Sequence, residues 1–190
     1  LPNRLLLPSL PGARETRGMS LLDIDYAPAP AAPIDMLEHV FDANGWAFER
    51  SGDEEISTSI KAGWAIYQLR ALWREDEGVL QIVARADLTC PDDRRAAIYE
   101  TLGLINEQLW MGHFELWSAD GTVLFRHATL LDNDDGDAAP DLTIGQAEVL
   151  VEAAVDEFER FYPVLQLVMF ADHAPADAMA AALFETVGEA

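Results

Sequence analysis

The stretch Gly112 to Leu131, GHFELWSADGTVLFRHATLL, limits the possible folds more than any other part of the chain. Two runs of aromatic and β-branched residues flank Asp120-Gly121, the dipeptide that most strongly signals a hairpin. A two-residue type I′ turn at Asp120-Gly121 puts Phe114, Leu116, Val123 and Phe125 on one apolar face. The same register sets Glu115 directly opposite Arg126 on the other face, as a cross-strand ion pair. A three-residue loop mixes apolar and charged side chains on both faces, so the alternation prefers the two-residue turn. Trp117 and Leu124 then lie on the outer face with Glu115 and Arg126. An exposed tryptophan beside a leucine marks a contact surface.

Upstream, the periodicity predicts a helix over 34–44, closed by Asn44-Gly45. A meander of strands follows: 46–50, 55–60, 64–73 and 79–86. Tyr67, Leu69, Ala71 and Trp73 share one face of the third strand, with Gln68 and Arg70 on the other. Leu80, Ile82 and Ala84 point inward on the fourth, with Gln81 and Arg85 outward. Such alternation belongs to an antiparallel sheet with one buried and one solvated face. Pro91, Asp92 and Asp93 open a helix with the stripe Ile98, Leu102, Ile105 and Leu109.

After the hairpin, Thr143 and Gln146 form a capping box for a long helix, striped by Ala147, Leu150, Val151, Ala154, Val155, Phe158 and Phe161. Pro163 is expected to kink or interrupt it. Beyond it, Val164, Leu165, Leu167, Val168, Met169 and Phe170 leave little room for a polar face. A helix apolar all round is buried on more than one side, and one small sheet covers only one. Either the last helix, opened by Pro175, folds back over it, or a second subunit does. The expectation is a homodimer with Val164, Val168 and Phe170 at or beside its interface.

The charge narrows the function. The chain carries a net charge of −22 and Lys61 is its only lysine. Nucleic-acid binding requires clustered cations to neutralise phosphates, and anionic membrane surfaces are disfavoured for the same reason. The apolar run Val164 to Ala171, broken by Gln166, is far short of the ~20 residues that span a bilayer. Leu5, Leu6 and Leu7 form no extended apolar segment, so a cleaved secretory signal is not expected. Cys90 is the only cysteine. It suits a reducing cytoplasm.

Motifs for chemistry are sparse. The acidic segment from Asp132 to Asp141 invites a calcium reading, but glycine falls fifth and Thr143 twelfth, where an EF-hand needs glycine sixth and glutamate twelfth. His113 and His127 lie on opposite faces of the hairpin, and no CxxC or HExxH spacing occurs. Cys90 precedes a helix, where a thiolate is favoured, but no base neighbours it in sequence, and a small apolar role fits better. Of the tryptophans, Trp46, Trp64, Trp73 and Trp110 are expected mostly in the core, with Trp117 the exception. No catalytic, cofactor-binding or metal-binding residue is therefore assigned.

Several of these residues recur together in one family. Asn106-x-x-Leu109-x-x-Gly112-x-Phe114, then Asp120-Gly121 and Phe125-Arg126, resemble the centre of the YbjN family of bacterial sensory transduction regulators. Phe161-Tyr162-Pro163-x-Leu165-x-x-Val168 resembles its closing helix. The resemblance implies an α+β fold like the type III secretion chaperones, with an antiparallel sheet packed against helices in the order α-β-β-β-α-β-β-α. The strand at Trp46 is additional to that order. The resemblance also implies dimers, and it brings no catalytic residue.

Three segments follow: a Pro-rich extension over 1–33, expected to be disordered, a YbjN-like domain over 34–172 and a helical tail over 173–190. The expected function is a non-enzymatic, cytoplasmic regulatory or chaperone-like module that binds an unidentified protein or peptide. An enzyme with a site dispersed along the chain and a purely structural dimer unit are the alternatives.

Overall fold

The computed structural model describes residues 32–131 and 142–186. The expected extension over 1–33 lies almost wholly outside these residues, as does all of the acidic segment from Asp132 to Asp141. Helix α1 (Pro33–Ala43) leads into β1 (Phe48–Ser51), β2 (Glu55–Lys61), β3 (Ile66–Arg74) and β4 (Val79–Thr89). A 3-10 turn, Asp92–Arg94, leads directly into α2 (Arg95–Asn106), followed by β5 (His113–Leu116), β6 (Thr122–Leu130), α3 (Ile144–Phe170) and α4 (Pro175–Thr186). The architecture is α+β, with the expected element order, the additional first strand and the tail helix.

The strands form one antiparallel sheet in the order β1-β2-β3-β4-β6-β5. The chain meanders through β4, crosses by way of α2 to the far edge and returns along β6 between β5 and β4. The period-two pattern fixes the faces. Tyr67, Leu69, Ala71 and Trp73 on β3 and Leu80, Ile82, Ala84, Ala86 and Leu88 on β4 are buried under α1 and α3. Phe114, Phe125, Phe158 and Phe161 form the aromatic centre; the rings of Phe114 and Phe158 meet edge to face at 4.9 Å. Such pairs add about 0.5–1.5 kcal/mol beyond their burial.

The hairpin register corrects the expectation. Glu115 is opposite Leu124, and Arg126 is opposite His113, with Phe114 opposite Phe125. Trp117 and Thr122 close a four-residue loop, in which the Gly121 N–H donates to the Trp117 carbonyl at 2.8 Å. The turn is not type I′, because that type requires Asp120 as well as Gly121 at positive φ. Only Gly121 has it, at +75°. The cause is tertiary: the Cys90 N–H donates to the Gly121 carbonyl, and Arg95 donates to the Ser118 carbonyl. The slip is two residues, so every side chain keeps its face. Glu115 and Arg126 still pair, diagonally, at 2.7 Å.

Asn106 and Gly112 have structural roles. The Asn106 side-chain amide accepts from the Phe114 N–H at 2.8 Å and donates to its carbonyl at 3.1 Å. It thereby occupies the outer edge of β5 as a neighbouring strand would. Gly112 has φ +68°, and the Phe125 ring stands where its Cβ would be.

Helix α3 runs through Pro163 without interruption. Its N-terminus carries the expected box, with Thr143 Oγ1 accepting from the Gln146 N–H. Tyr162, Val164 and Leu165 around the proline are all buried, and that packing offsets the missing backbone bond. Both α2 and α4 pack against α3, so the chain itself covers its apolar far side.

Candidate functional site

Helices cover one face of the sheet. On the other face, Ser57 and Ser59 of β2, Gln68 and Arg70 of β3, Val83 and Arg85 of β4 and Leu124 of β6 border a depression of about 910 Å³. Trp117, Asp120 and Thr122 of the hairpin close one side of it, and Glu49 and Glu55 the other. These are the outward members of the strands whose inward members form the core, so one alternation builds both.

The floor is apolar. Val83 is half-buried and Leu124 is only 3% exposed, although it faces away from the core. In the register, Leu124 stands between Arg85 of β4 and Glu115 of β5. Trp117 is 50% exposed at its rim.

Around that floor several of the charges are paired, and Arg85 is among those that are not. Glu55 takes two hydrogen bonds from Arg70, at 2.6 and 2.7 Å. The Arg70 guanidinium holds the Glu55 carboxyl below its usual range. Arg126 lies between Glu115 and Gln81, and His113 also reaches Glu115. Asp120 accepts from the Thr122 N–H at 2.9 Å, and this backbone bond lowers its carboxyl. Arg85 instead donates to the Gln68 side-chain oxygen at 2.8 Å. Among the described residues no carboxylate lies within 4.0 Å of the Arg85 guanidinium. Arg85 borders the depression together with Asp120, whose carboxylate it helps to lower without pairing with it, and its remaining donors are open to a carboxylate or a peptide carbonyl.

Two further groups with perturbed protonation, Tyr67 and Cys90, lie away from the depression and are structural. Burial, reinforced by Glu159, pushes the Tyr67 hydroxyl well above its ordinary range. The Glu159 carboxylate accepts from that hydroxyl and from the Gly63 and Trp64 N–H groups, pinning the β2–β3 turn to α3. Cys90 is buried, and burial raises its thiol, as suits a small apolar residue rather than a nucleophile. Among the described residues no cluster of three or more His, Cys, Asp or Glu side chains could hold a metal ion. No helix among them is long and apolar enough to cross a membrane.

Of the residues singled out from sequence, the structure brings Trp117 and Leu124 together at the depression. Val164 and Val168 are 1% and 0% exposed within the single chain, leaving them no surface for a partner. Phe170 is exposed at the end of α3. The tryptophan expectation needs correction: Trp73 is core and Trp46 packs on Phe41, but Trp64 and Trp110 are exposed along with Trp117. Trp64 lies in the β2–β3 turn and Trp110 in the loop after α2, and such connections run over the surface. Sequence reasoning missed Arg85, Val83 and Glu159. The outward alternation of β3 and β4 pointed to the first two. Nothing local points to Glu159, whose partners lie more than 90 residues away.

A sequence model of the YbjN family, described as "Putative bacterial sensory transduction regulator", matches residues 33–167. Among solved structures, YbjN from E. coli superposes with a TM-score of 0.47 at 10% identity, over 76% of this chain and 95% of its own. ExsC, seen in the crystal structure of the ExsC–ExsE complex, superposes with a TM-score of 0.50 at 18% identity, over 72% of this chain and 93% of its own. No curated protein matches the chain in sequence. The ExsC likeness shows a shared fold. The family match, spanning well over half of the residues, shows that the chain belongs to the YbjN family.

Proposed function

We propose that this protein is a non-enzymatic, cytoplasmic regulatory or chaperone-like module that holds an extended protein or peptide segment across the open face of its sheet. The observation that carries the reading is the depression itself. An apolar floor of Val83 and Leu124, rimmed by Trp117, lies beside the uncommitted donors of Arg85. Side chains of a bound segment would rest on the floor, and its carbonyls or carboxylates would meet Arg85, Gln68 and the serines. The net charge of −22 argues against nucleic acid and anionic membrane as the occupant. ExsC, which shares the fold, is itself seen with a protein, ExsE.

A photo-crosslinking residue at position 117, in the native cell, tests this. The control carries it at Gln166, which is exposed on α3. The expected result is one dominant protein adduct at 117, absent at 166 and lost when Arg85→Glu is added. Equal labelling at both positions, or labelling that Arg85→Glu leaves unchanged, overturns the proposal.

A further inference from the structure

Helix α4 lies beyond residue 167, where the family match ends. It folds back onto α2 and α3 and there buries Ala178 completely and Met179 to 6% exposure. The surface beneath it is the apolar far side of α3, which the sheet does not reach. Four exposed or half-exposed residues, Ala171 to Ala174, make the turn. Among the described residues Asp172 is the only non-glycine residue at positive φ, +56°. The fold-back therefore depends on one residue held in the left-handed region, which a side chain disfavours.

Arg94, at the entrance to α2, holds that turn. Its Nε and Nη2 donate to the Val168 carbonyl at 2.9 and 2.7 Å, and Nη2 reaches the His173 carbonyl at 3.4 Å. Its Nη1 pairs with the Asp172 carboxylate. The same cation thus caps the negative C-terminal end of α3 and fixes the hinge. The Asp172 carboxylate is almost fully exposed, so the hinge touches no core.

We propose that α4 is an exchangeable arm: the cleft between α2 and α3 accepts α4 from its own chain or from a second copy, with Asp172 as hinge and Arg94 as latch. When Asp172 leaves the left-handed region the fold-back is lost. Ala178 and Met179 then meet water, and the cleft stands open. The α4 of a second copy fits that cleft because it is the same sequence making the same contacts, and reciprocal exchange closes as a two-fold dimer. The homodimer expected from the over-apolar α3 is thereby recast: its interface is the seat of α4, and the closed monomer fills that seat itself.

Sedimentation of the full-length chain at tens of micromolar tests this, with circular dichroism as the control for folding. Wild type is expected to be mainly monomer. Asp172→Val penalises each hinge by roughly a factor of ten. Two hinges open per dimer, so the association constant should rise about a hundredfold and dimer should appear. Asp172→Gly should remain monomer. Arg94→Gln, which loosens the latch without altering backbone preference, should move in the same direction as Asp172→Val by a smaller step. Adding Ala178→Glu to Asp172→Val should return folded monomer, because the arm can then seat nowhere. The proposal is overturned if Asp172→Val and Arg94→Gln both remain folded monomers. A dimer, in wild type or variant, that Ala178→Glu leaves intact overturns it equally.

Discussion

The two faces of the sheet come from the same strands, yet they differ in nearly every property. Under the helices, Tyr67, Leu69, Ala71 and Trp73 of β3 are almost wholly buried. On the open side of the same strand stand Ile66, Gln68, Arg70, Leu72 and Arg74. Lys61, Arg70, Arg74, Arg85 and Arg126 all lie on this open side, in a chain whose net charge is −22. The covered face is closed by shape. The open face keeps an apolar strip and a cation without a carboxylate partner, which stability alone does not require. Substitutions on the first should therefore be felt in stability, and those on the second in binding.

The largest effect should come from the covered face. Phe158→Ala removes a fully buried ring that meets both Tyr67 and Phe114. It should cost about 3–5 kcal/mol, read as a fall in unfolding midpoint of roughly 10 °C or more. A fall of only a degree or two would mean that the aromatic centre does not organise the fold.

Gly121→Val should rank next. Gly121 sits at φ +75°, and an added Cβ would lie 2.7 Å from the Cys90 carbonyl oxygen. The backbone strain alone amounts to roughly 1–2 kcal/mol, and the clash adds to it. An unchanged midpoint in thermal unfolding would contradict the docked four-residue loop.

Glu157→Gln should act in the opposite direction. Burial raises the Glu157 carboxyl against the opposing charge of Arg160, and the oxygen that faces Arg160 at 3.7 Å has no hydrogen-bond partner among the described residues. A group whose folded value is raised favours the native state at pH below its unfolded value and loses that contribution as pH rises through the folded one. At neutral pH the charged form is therefore the less comfortable, and glutamine should stabilise by about 0.5–1 kcal/mol. The gain should disappear near pH 4. Midpoints at both pH values decide the matter, and equal gains at both would show that the effect is not ionisation.

The smallest stability effects belong to the open face. Val83→Ser and Ser57→Ala should stay within about 0.5 kcal/mol of wild type, while Val83→Ser weakens crosslinking at position 117. If Val83→Ser destabilised the protein as much as Gly121→Val, the depression would be part of the core and not a site.

Much of the fold was legible because burial imprints a period on each element. Period two in β3 and β4 marked the inward and outward residues correctly, and Thr143 and Gln146 marked the start of α3. The local rule at Asp120-Gly121 found the hairpin and its faces but misjudged the loop by two residues. No property of those residues distinguishes the two registers, since a two-residue slip preserves the faces. Cys90 and Arg95, brought in from other elements, made the choice.

The order of residues along the chain already states which side of each strand is buried, where helices begin, and that α3 is too apolar for a single sheet to cover. These are properties of neighbouring residues, and neighbours record them. Tertiary structure alone decided that α2 and α4 cover α3, that Glu159 grips a turn far away in the chain, and that Arg85 stands beside Leu124 without a carboxylate partner. Each of these joins groups from separate elements, and distance through space leaves no periodic trace along the chain.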